Sequence, residues 1–392
     1  MNPLRSKICI VTGSRAEYDL LKPVILKLQS DEEIECDLVV TGSHLEESFG
    51  NTVSEIDRDE VRVTEKIKIP MDSDTKLDMA RSVAAGIEKF AEYFNDNVYD
   101  MLIVLGDRFE IYAVAIAAAM LSIPIAHLYG GDTTEGAVDE YMRHGITKMS
   151  YLHFTSAEEY RKRVIQLGED PQRVFNVGSL GVENCMKLPL MELDELNASL
   201  ATELKEVSYA VVTYHPVTME NGSVKWQTDE LIRAMSDMDE LSYIITLSNA
   251  DAGGRYINEK WKEEASRHDN WTVIPSLGAV RYLSAVKYSA FVLGNSSSGI
   301  SEVPSMKVPT VNIGDRQKGR IMADSVISCD PSSDSIKSAM IKALSPEFKE
   351  IAQNTVSPFG DGNTSERIVS EIKRTLKNGE IDLKKKFYDI IS

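Results

Sequence analysis

Ala290-Phe291-Val292-Leu293-Gly294-Asn295-Ser296-Ser297-Ser298-Gly299-Ile300-Ser301-Glu302 compresses a strand, a turn and the start of a helix into one run. The apolar stretch 290–293 reads as a buried strand. It breaks at Gly294, passes through three serines, and Gly299 opens a short stretch ending in Glu302. Glycines let the backbone approach a ligand closely, and hydroxyls with free N–H groups at a helix start suit a phosphate. The glycine spacing fits neither a Walker loop nor a dinucleotide fingerprint. A polar turn after a strand is also an ordinary connection. Glu302 raises this one, because a carboxylate there could take the two hydroxyls of a ribose. The run reads as a site for a nucleotide diphosphate.

The same strand-to-helix alternation extends outward through the chain. Runs 8–11, 38–40, 101–105, 124–128 and 152–155 are short, apolar and often β-branched. Amphipathic stretches 16–29, 77–94, 109–121, 138–149 and 157–167 lie between or after them. Such alternation predicts βαβ units and parallel sheets with helices on both faces. Around 189–207 the pattern gives way to a polar linker with a helical turn or more, and then restarts at 209–213, 243–246, 271–274, 291–293 and 310–313. Two α/β halves with a cleft between them are expected. Ligands of such sheets sit beyond the carboxyl ends of the strands.

The chain has 392 residues, enough for two domains with substantial cores. Its formal net charge of -18 argues against a nucleic-acid partner, which needs a basic face, but leaves room for a small anion held by a few arginines. No apolar run approaches the ~20 residues needed to cross a bilayer. The first residues, Met1 to Lys7, lack a signal-peptide core, so the cytoplasm is the expected compartment. Cys9, Cys36, Cys185 and Cys329 are scattered without a CxxC pair, which predicts free thiols and no zinc site. Lys384-Lys385-Lys386 reads as a solvated surface run.

Polar residues recur at the strand ends. Gly13 permits a tight turn, and Arg15 is expected at the start of the next helix, where it reinforces the dipole for an anion. Asp107 stands at the end of another strand, either as a helix cap or as a working carboxylate. Arg108 beside it either meets a diphosphate or faces solvent. The loop 127–144 is dense in titratable groups. Asp139 and Arg143, four apart, share a helix face, as an ion pair or as part of a site. Carboxylates crowded at strand ends are how a fold separates an acid from a base. Pro216 biases His215 towards an extended conformation at the end of its strand. The segments 248–254 and 313–320 complete the set.

The motifs TGSRAEYDLLKP (12–23), VLGDRFEI (104–111), HLYGGDTTEGAVDEYMRHGITKMS (127–150), YHPVT (214–218), SNADAGG (248–254), LGNSSSGISEVPS (293–305) and NIGDRQKGR (312–320) resemble those of the hydrolysing UDP-N-acetylglucosamine 2-epimerases. The resemblance runs over nearly the whole chain. It implies an α/β, glycosyltransferase-B-like fold of two Rossmann-like domains, 1–188 and 189–362, with a C-terminal helix, 363–380, crossing back onto the first. It implies that Arg15 and His215 contact the diphosphate or assist its departure. Asn249, Ser297 and Ser298 would hold the phosphates, Glu302 the ribose, and Arg316 the neighbourhood of the nucleotide, with Arg108 and Arg143 also on the substrate. Asp107, Asp132 and Asp139 would work at the sugar. Family members often carry Glu at the position of Asp132 and some an acidic residue at that of Tyr129, so this loop departs from the pattern.

The chemistry implied is release of UDP and N-acetylmannosamine, the entry to bacterial sialic acid synthesis. The proton on sugar carbon 2 is not acidic until loss of the anomeric UDP leaves an oxocarbenium-like centre; a carboxylate then removes it. Cations and helix-terminal donors stabilise the departing diphosphate. Water adds across the resulting 2-acetamidoglucal. No metal and no cofactor are needed, and the expected partners are the UDP-sugar substrate, the UDP product and further copies of the chain in a homodimer or homotetramer. Three other readings stand beside this one: a hydrolysing epimerase for UDP-N,N'-diacetylbacillosamine, a glycosyltransferase of the same architecture, and a nucleotide-sugar binding protein.

Overall fold

Along β1 (Ser6–Thr12), alternate side chains enter two different cores. Ile8 and Ile10 pack with Leu21, Ile25 and Ile372, while Cys9 and Val11 pack with Phe90, Val114 and Ile146. A strand buried on both faces reads as a continuous apolar run, which is why it stood out in the sequence. The computed structural model describes residues 5–46, 52–59, 61–71, 76–133, 139–217, 223–248, 253–379 and 381–390.

The chain divides into two units, one of Met1–Thr133, Val138–Leu180 and Asn363–Ser392, the other of Gly181–Gly362. In the first, β1 is followed by α1 (Arg15–Gln29), β2 (Ile34–Val40), α2 (Val53–Arg58), β3 (Glu65–Lys66), α3 (Lys76–Asp96), β4 (Met101–Leu105), α4 (Phe109–Met120) and β5 (Ile125–Leu128). Then come α5 (Asp139–Met149), β6 (Leu152–Thr155), α6 (Glu158–Gln166) and β7 (Val174–Asn176). These strands form one parallel sheet in the order β3-β2-β1-β4-β5-β6-β7.

In the second unit, α7 (Leu180–Lys187) and α8 (Leu193–Leu200) precede β8 (Tyr209–Thr213), α9 (Val224–Ser236), β9 (Ser242–Thr246), α10 (Gly254–Ala265), β10 (Trp271–Ile274), α11 (Gly278–Tyr288) and β11 (Phe291–Gly294). After these follow α12 (Ser298–Ser301), β12 (Thr310–Ile313), β13 (Val326–Cys329), α13 (Ser333–Leu344) and α14 (Pro346–Asn354). The second sheet is also parallel, in the order β10-β9-β8-β11-β12-β13. β8 repeats the logic of β1: Ala210 and Val212 enter one core and Tyr209 and Val211 the other.

Both sheets reverse their winding once, between β1 and β4 in the first and between β8 and β11 in the second. At such a switch point the two loops beyond the strand ends diverge to opposite faces and leave a crevice for a ligand. Gly13 to Arg15 and Asp107 to Arg108 follow β1 and β4; Tyr214 to Pro216 and Asn295 to Ser298 follow β8 and β11.

The boundary differs from the expected one at 188/189 and falls between Leu180 and Gly181. The polar stretch around Pro189 drew attention in the sequence, but α7 already packs with the second unit. A Cβ on Gly181 would meet Glu302 Oε1 at 2.5 Å, and Met186 lies against Gly362. α15 (Thr364–Asn378) belongs to the first unit, where Ile368, Val369 and Ile372 join the core beside α1. Lys27 pairs with Glu366 at 2.9 Å, and Lys373 with Asp31 at 2.5 Å. β3, β7 and β13 were not expected: β3 is two exposed charged residues, and all three lie at sheet edges where no long apolar run marks them. The four cysteines are free. No helix among the described residues is long and apolar enough to cross a membrane.

Gly294 ends β11 at φ 138°, and a Cβ there would lie 1.9 Å from the carbonyl oxygen of Thr213. Gly294→Ala must therefore push the two central strands of its sheet apart, with an expected cost above about 3 kcal/mol. Gly314, at φ 68° with nothing within 4 Å of its notional Cβ, serves as the control. Gly314→Ala should cost about 1–2 kcal/mol, the backbone conformation alone. Urea unfolding midpoints of the two variants check the difference.

Candidate active site

In the first unit, the site grows from the loops after β1, β4 and β5. Ser14 caps α1 by accepting the Glu17 N–H, and Glu17 folds back so that its Oε2 accepts the Gly13 N–H at 2.7 Å. Arg15 begins α1, with its Nε 3.8 Å from Asp19 Oδ2 one turn on. Arg108 reaches Glu110 Oε1 at 2.6 Å and Glu17 Oε1 at 3.8 Å. The room for Glu110 comes from glycines: a Cβ on Gly13 would meet Glu110 Cγ at 2.5 Å, and one on Gly42 the same atom at 3.2 Å. Burial, then the neighbouring charge of Glu110, pushes Glu17 up to about 8. Glu110 and Glu17 together raise the pKa of Arg108, so the guanidinium stays charged.

A second cation organises the carboxylates beyond it. Arg143 on α5 is 3% exposed in its side chain and bonds the Asp107 carboxylate, Glu140 Oε2 at 2.7 Å and the Asp132 carbonyl oxygen at 2.9 Å. Asp107 is not the cap of α4; that position is Arg108. The Asp132 side chain accepts the N–H of Thr133 at 3.0 Å within its own turn. Asp139 opens α5, and its carboxyl is pushed up to about 6, first by burial and then by the charge of Asp107, against the pull of Arg108 and Arg143. His127 holds the loop that carries Asp107, its Nε2 donating to the Gly106 carbonyl at 2.8 Å. Burial keeps that imidazole neutral, down at about 3. Tyr129 sits at φ 67°, and its hydroxyl is 3.0 Å from Ser179 Oγ and accepts the Leu180 N–H at 2.8 Å.

In the second unit, Asn295 is the hub. It is 1% exposed, and its amide exchanges two hydrogen bonds with the backbone of His215, accepting from the N–H and donating to the carbonyl at 2.8 Å each. Its own carbonyl accepts from Arg316 at 3.1 Å and Gln317 at 2.8 Å. His215 Nδ1 lies 3.2 Å from Ser248 Oγ, and burial, then Arg316, lowers its pKa to about 3, so a neutral ring is presented. Ser297 caps α12, whose first residue, Ser298, donates its hydroxyl to the Glu302 carboxylate. Burial raises the pKa of Glu302, and the Ser298 bond opposes it.

The structure thus brings Asp107, Arg108, Asp132, Asp139 and Arg143 together, and separately His215, Ser297, Ser298, Glu302 and Arg316. Arg15 stands at the start of α1 in the same unit as the first group. Asn249 lies outside the described residues, as do residues 134–138 of the carboxylate loop. Asn295, Gln317, Glu17 and Glu110 were missed as site residues. Their positions in LGNSSSG, GDRQKG, SRAEYD and GDRFE were the available signal, since each stands beside a residue already singled out. Among the described residues no group of three or more His, Cys, Asp or Glu could hold a metal ion.

A family model described as UDP-N-acetylglucosamine 2-epimerase matches residues 26–373. The chain is 41% identical to the polysialic acid biosynthesis protein P7 of Escherichia coli, covering 98% of this chain and 97% of that one. It is 37% identical to a hydrolysing GDP/UDP-N,N'-diacetylbacillosamine 2-epimerase of Campylobacter jejuni, covering 98% of this chain and all, 100%, of that one. The crystal structure of the Neisseria meningitidis UDP-N-acetylglucosamine 2-epimerase, bound to UDP-N-acetylglucosamine, superposes with a TM-score of 0.81 at 19% identity, covering 94% of this chain and 100% of that one. The expected glycosyltransferase-B-like class, two Rossmann-like parallel-sheet units, is the fold they share.

The raised pKa of Glu17 carries a consequence for stability. Its folded value of about 8 lies above the ordinary 4.5, so folding favours the protonated form. The contribution is complete below about pH 4.5 and is lost as pH rises through about 8. Glu17→Gln cannot ionise, so its Tm relative to the parent protein should climb steadily from pH 5 to pH 8. Thermal melts across that window check this; a constant difference would place the ionisation elsewhere.

Proposed function

This chain belongs to the UDP-N-acetylglucosamine 2-epimerase family, and from that premise we propose that it is a hydrolysing 2-epimerase releasing UDP and N-acetylmannosamine from UDP-N-acetylglucosamine, the first step of sialic acid synthesis. The observation that carries the reading is the pairing of unlike carboxylates in the first unit. Asp107 is bonded to a buried arginine, whereas Asp139 nearby is held near neutrality at about 6. A group so placed can take a proton at physiological pH and return it.

In this reading Asp139 removes the proton from sugar carbon 2 as the bond from carbon 1 to the diphosphate oxygen breaks. The electron pair of the C–H bond forms the double bond of 2-acetamidoglucal, and UDP leaves with the pair of the C–O bond. Asp107, aligned by Arg143, supplies or accepts the second proton at the sugar, and Asp132 supports the turn from which they act. Water then adds its oxygen to carbon 1, and a proton reaches carbon 2 from the opposite face. Arg15, Arg108 and His215 meet the diphosphate. Ser297, Ser298 and Asn249 hold the phosphates, Glu302 takes the ribose hydroxyls and Arg316 lies beside the nucleotide. The neutral His215 suits a hydrogen-bond donor to the leaving group. The C. jejuni relative favours a second substrate, UDP-N,N'-diacetylbacillosamine, which differs at the sugar end alone. The working form is a homodimer or homotetramer, which light scattering on the eluted protein checks.

The test is incubation with each UDP-sugar in deuterated water without acceptor, followed by NMR. Free UDP with N-acetylmannosamine deuterated at carbon 2 is expected; UDP-N-acetylmannosamine as the product would establish epimerisation without hydrolysis. Turnover of the diacetylated sugar alone would move the assignment to the second substrate. Asp139→Asn should lower kcat by about 10²–10⁴-fold while leaving UDP affinity within about threefold. If Asp139 is the base, kcat falls about tenfold per pH unit below about pH 6, as the carboxyl takes up its proton.

A further inference from the structure

Lys384-Lys385-Lys386, expected as a solvated run, is instead divided between two roles. Lys385 is 18% exposed, and its Nζ bonds Glu169 Oε2 and the Ser150 carbonyl, both at 2.6 Å, and the Lys148 carbonyl at 3.0 Å. Glu169 is fully buried and also meets Lys148 at 2.6 Å and His153 at 3.0 Å. Burial pushes its carboxyl up, but the bonds from His153, Lys148 and Lys385 prevail and hold it down at about 2. Tyr388 N–H donates to the Gly168 carbonyl at 2.9 Å, and Phe387 packs over Gly168. The segment after α15 is thereby latched onto the first unit by a buried ion pair.

Beneath the latch lies a cavity of about 560 Å³, within the range of small-ligand sites. Five cations line it: Arg173, Arg374, Lys384, Lys386 and Lys385, the last already bonded to Glu169. Lys384 and Lys386 make no ion pair among the described residues, and Arg374 bonds Glu371 of its own helix at 2.8 Å. Arg173 stacks 4.9 Å from the Tyr151 ring, and its Nε is buried without an acceptor. Three carboxylates face the same space, Asp170, Asp382 and Asp389. Asp170 and Asp382 are engaged as acceptors of the backbone N–H groups of Gln172 and Lys384. A buried guanidinium N–H without an acceptor is costly, and a chain with a net charge of -18 has carboxylates to spare. Here two of the three are spent on turns, while Arg173, Lys384 and Lys386 meet no carboxylate among the described residues.

We propose that this cavity binds a small phosphorylated metabolite, its phosphoryl group accepting from Arg173 and drawing in Lys384 and Lys386. A phosphoryl group offers three acceptor oxygens and nearly two charges, so it can answer several cations at once where a carboxylate answers one. Bound there, it bridges the segment after α15 to residues 151–173 and tightens the latch. The proposal stands apart from the 2-epimerase reading, since none of these residues belongs to the carboxylate or nucleotide groups.

The test uses the full chain with inorganic pyrophosphate, AMP and glucose 6-phosphate as probes. Deuterium exchange should slow in peptides covering 151–173 and 374–390 with AMP or with glucose 6-phosphate. Whichever of the two binds more tightly by calorimetry identifies the nucleotide or the sugar phosphate as the class. Lys384→Gln/Lys386→Gln, both exposed positions, should weaken that binding at least about tenfold, as should Arg173→Gln. Lys262→Gln, an exposed lysine of the second unit, should not. Absence of protection in both peptides, equal affinity in the double variant, or binding of pyrophosphate alone would overturn the proposal.

Discussion

A guanidinium withdrawn from water must be met by anions, and Arg143 is met from three directions. The carboxylate after β4, the carbonyl of the turn after β5 and Glu140 on α5 all converge on it. Remove the charge and each of these loops loses its reason to stand where it does. The cost of burying Arg143 is thus what fixes Asp107, and the charge of Asp107 adds to the burial that lifts Asp139. A positional constraint becomes an electrostatic one within a few ångströms.

Arg108 plays a parallel part with a different outcome. Its two carboxylates, Glu17 and Glu110, are buried so close that one is pushed to about 8, and the guanidinium is what lets them coexist. Glu110 occupies space that Gly13 and Gly42 leave open. In the second unit the organising group is neutral. Asn295 replaces two backbone partners of His215 with its own amide, so the ends of β8 and β11 are joined beyond the last ladder bond without any net charge.

The central strands were legible because β1, β4, β8 and β11 are buried on both faces through their middles and carry apolar runs there. β3 was not, since Glu65 and Lys66 are exposed and carry no hydrophobic signal. Asp107 and His215 could be found because polar residues just after apolar runs mark strand ends, Asp139 because it stands four residues before Arg143, and Glu302 because it closes the serine turn after β11. The role of Asn295 could not, because its bonds reach 80 residues back along the chain. Glu17 and Glu110 look like ordinary first-turn acids on amphipathic helices. Only the packing of Gly13 against Glu110 reveals that both have left the surface.

Tyr129 is where local and global preferences conflict. An aromatic residue at φ 67° is strained, and the strain persists because its hydroxyl is held at Ser179 and Leu180. The chain turns at Tyr129 so that Gly130 and Gly131 can carry Asp132 back towards Arg143. A Cβ on Gly131 would meet the Tyr160 carbonyl oxygen at 2.3 Å, so the turn is pressed against α6 as it passes. An acidic side chain at Tyr129 would forfeit the anchoring hydroxyl. Arg143 holds the carboxylate of Asp107 directly and takes the carbonyl of Asp132 as that turn passes.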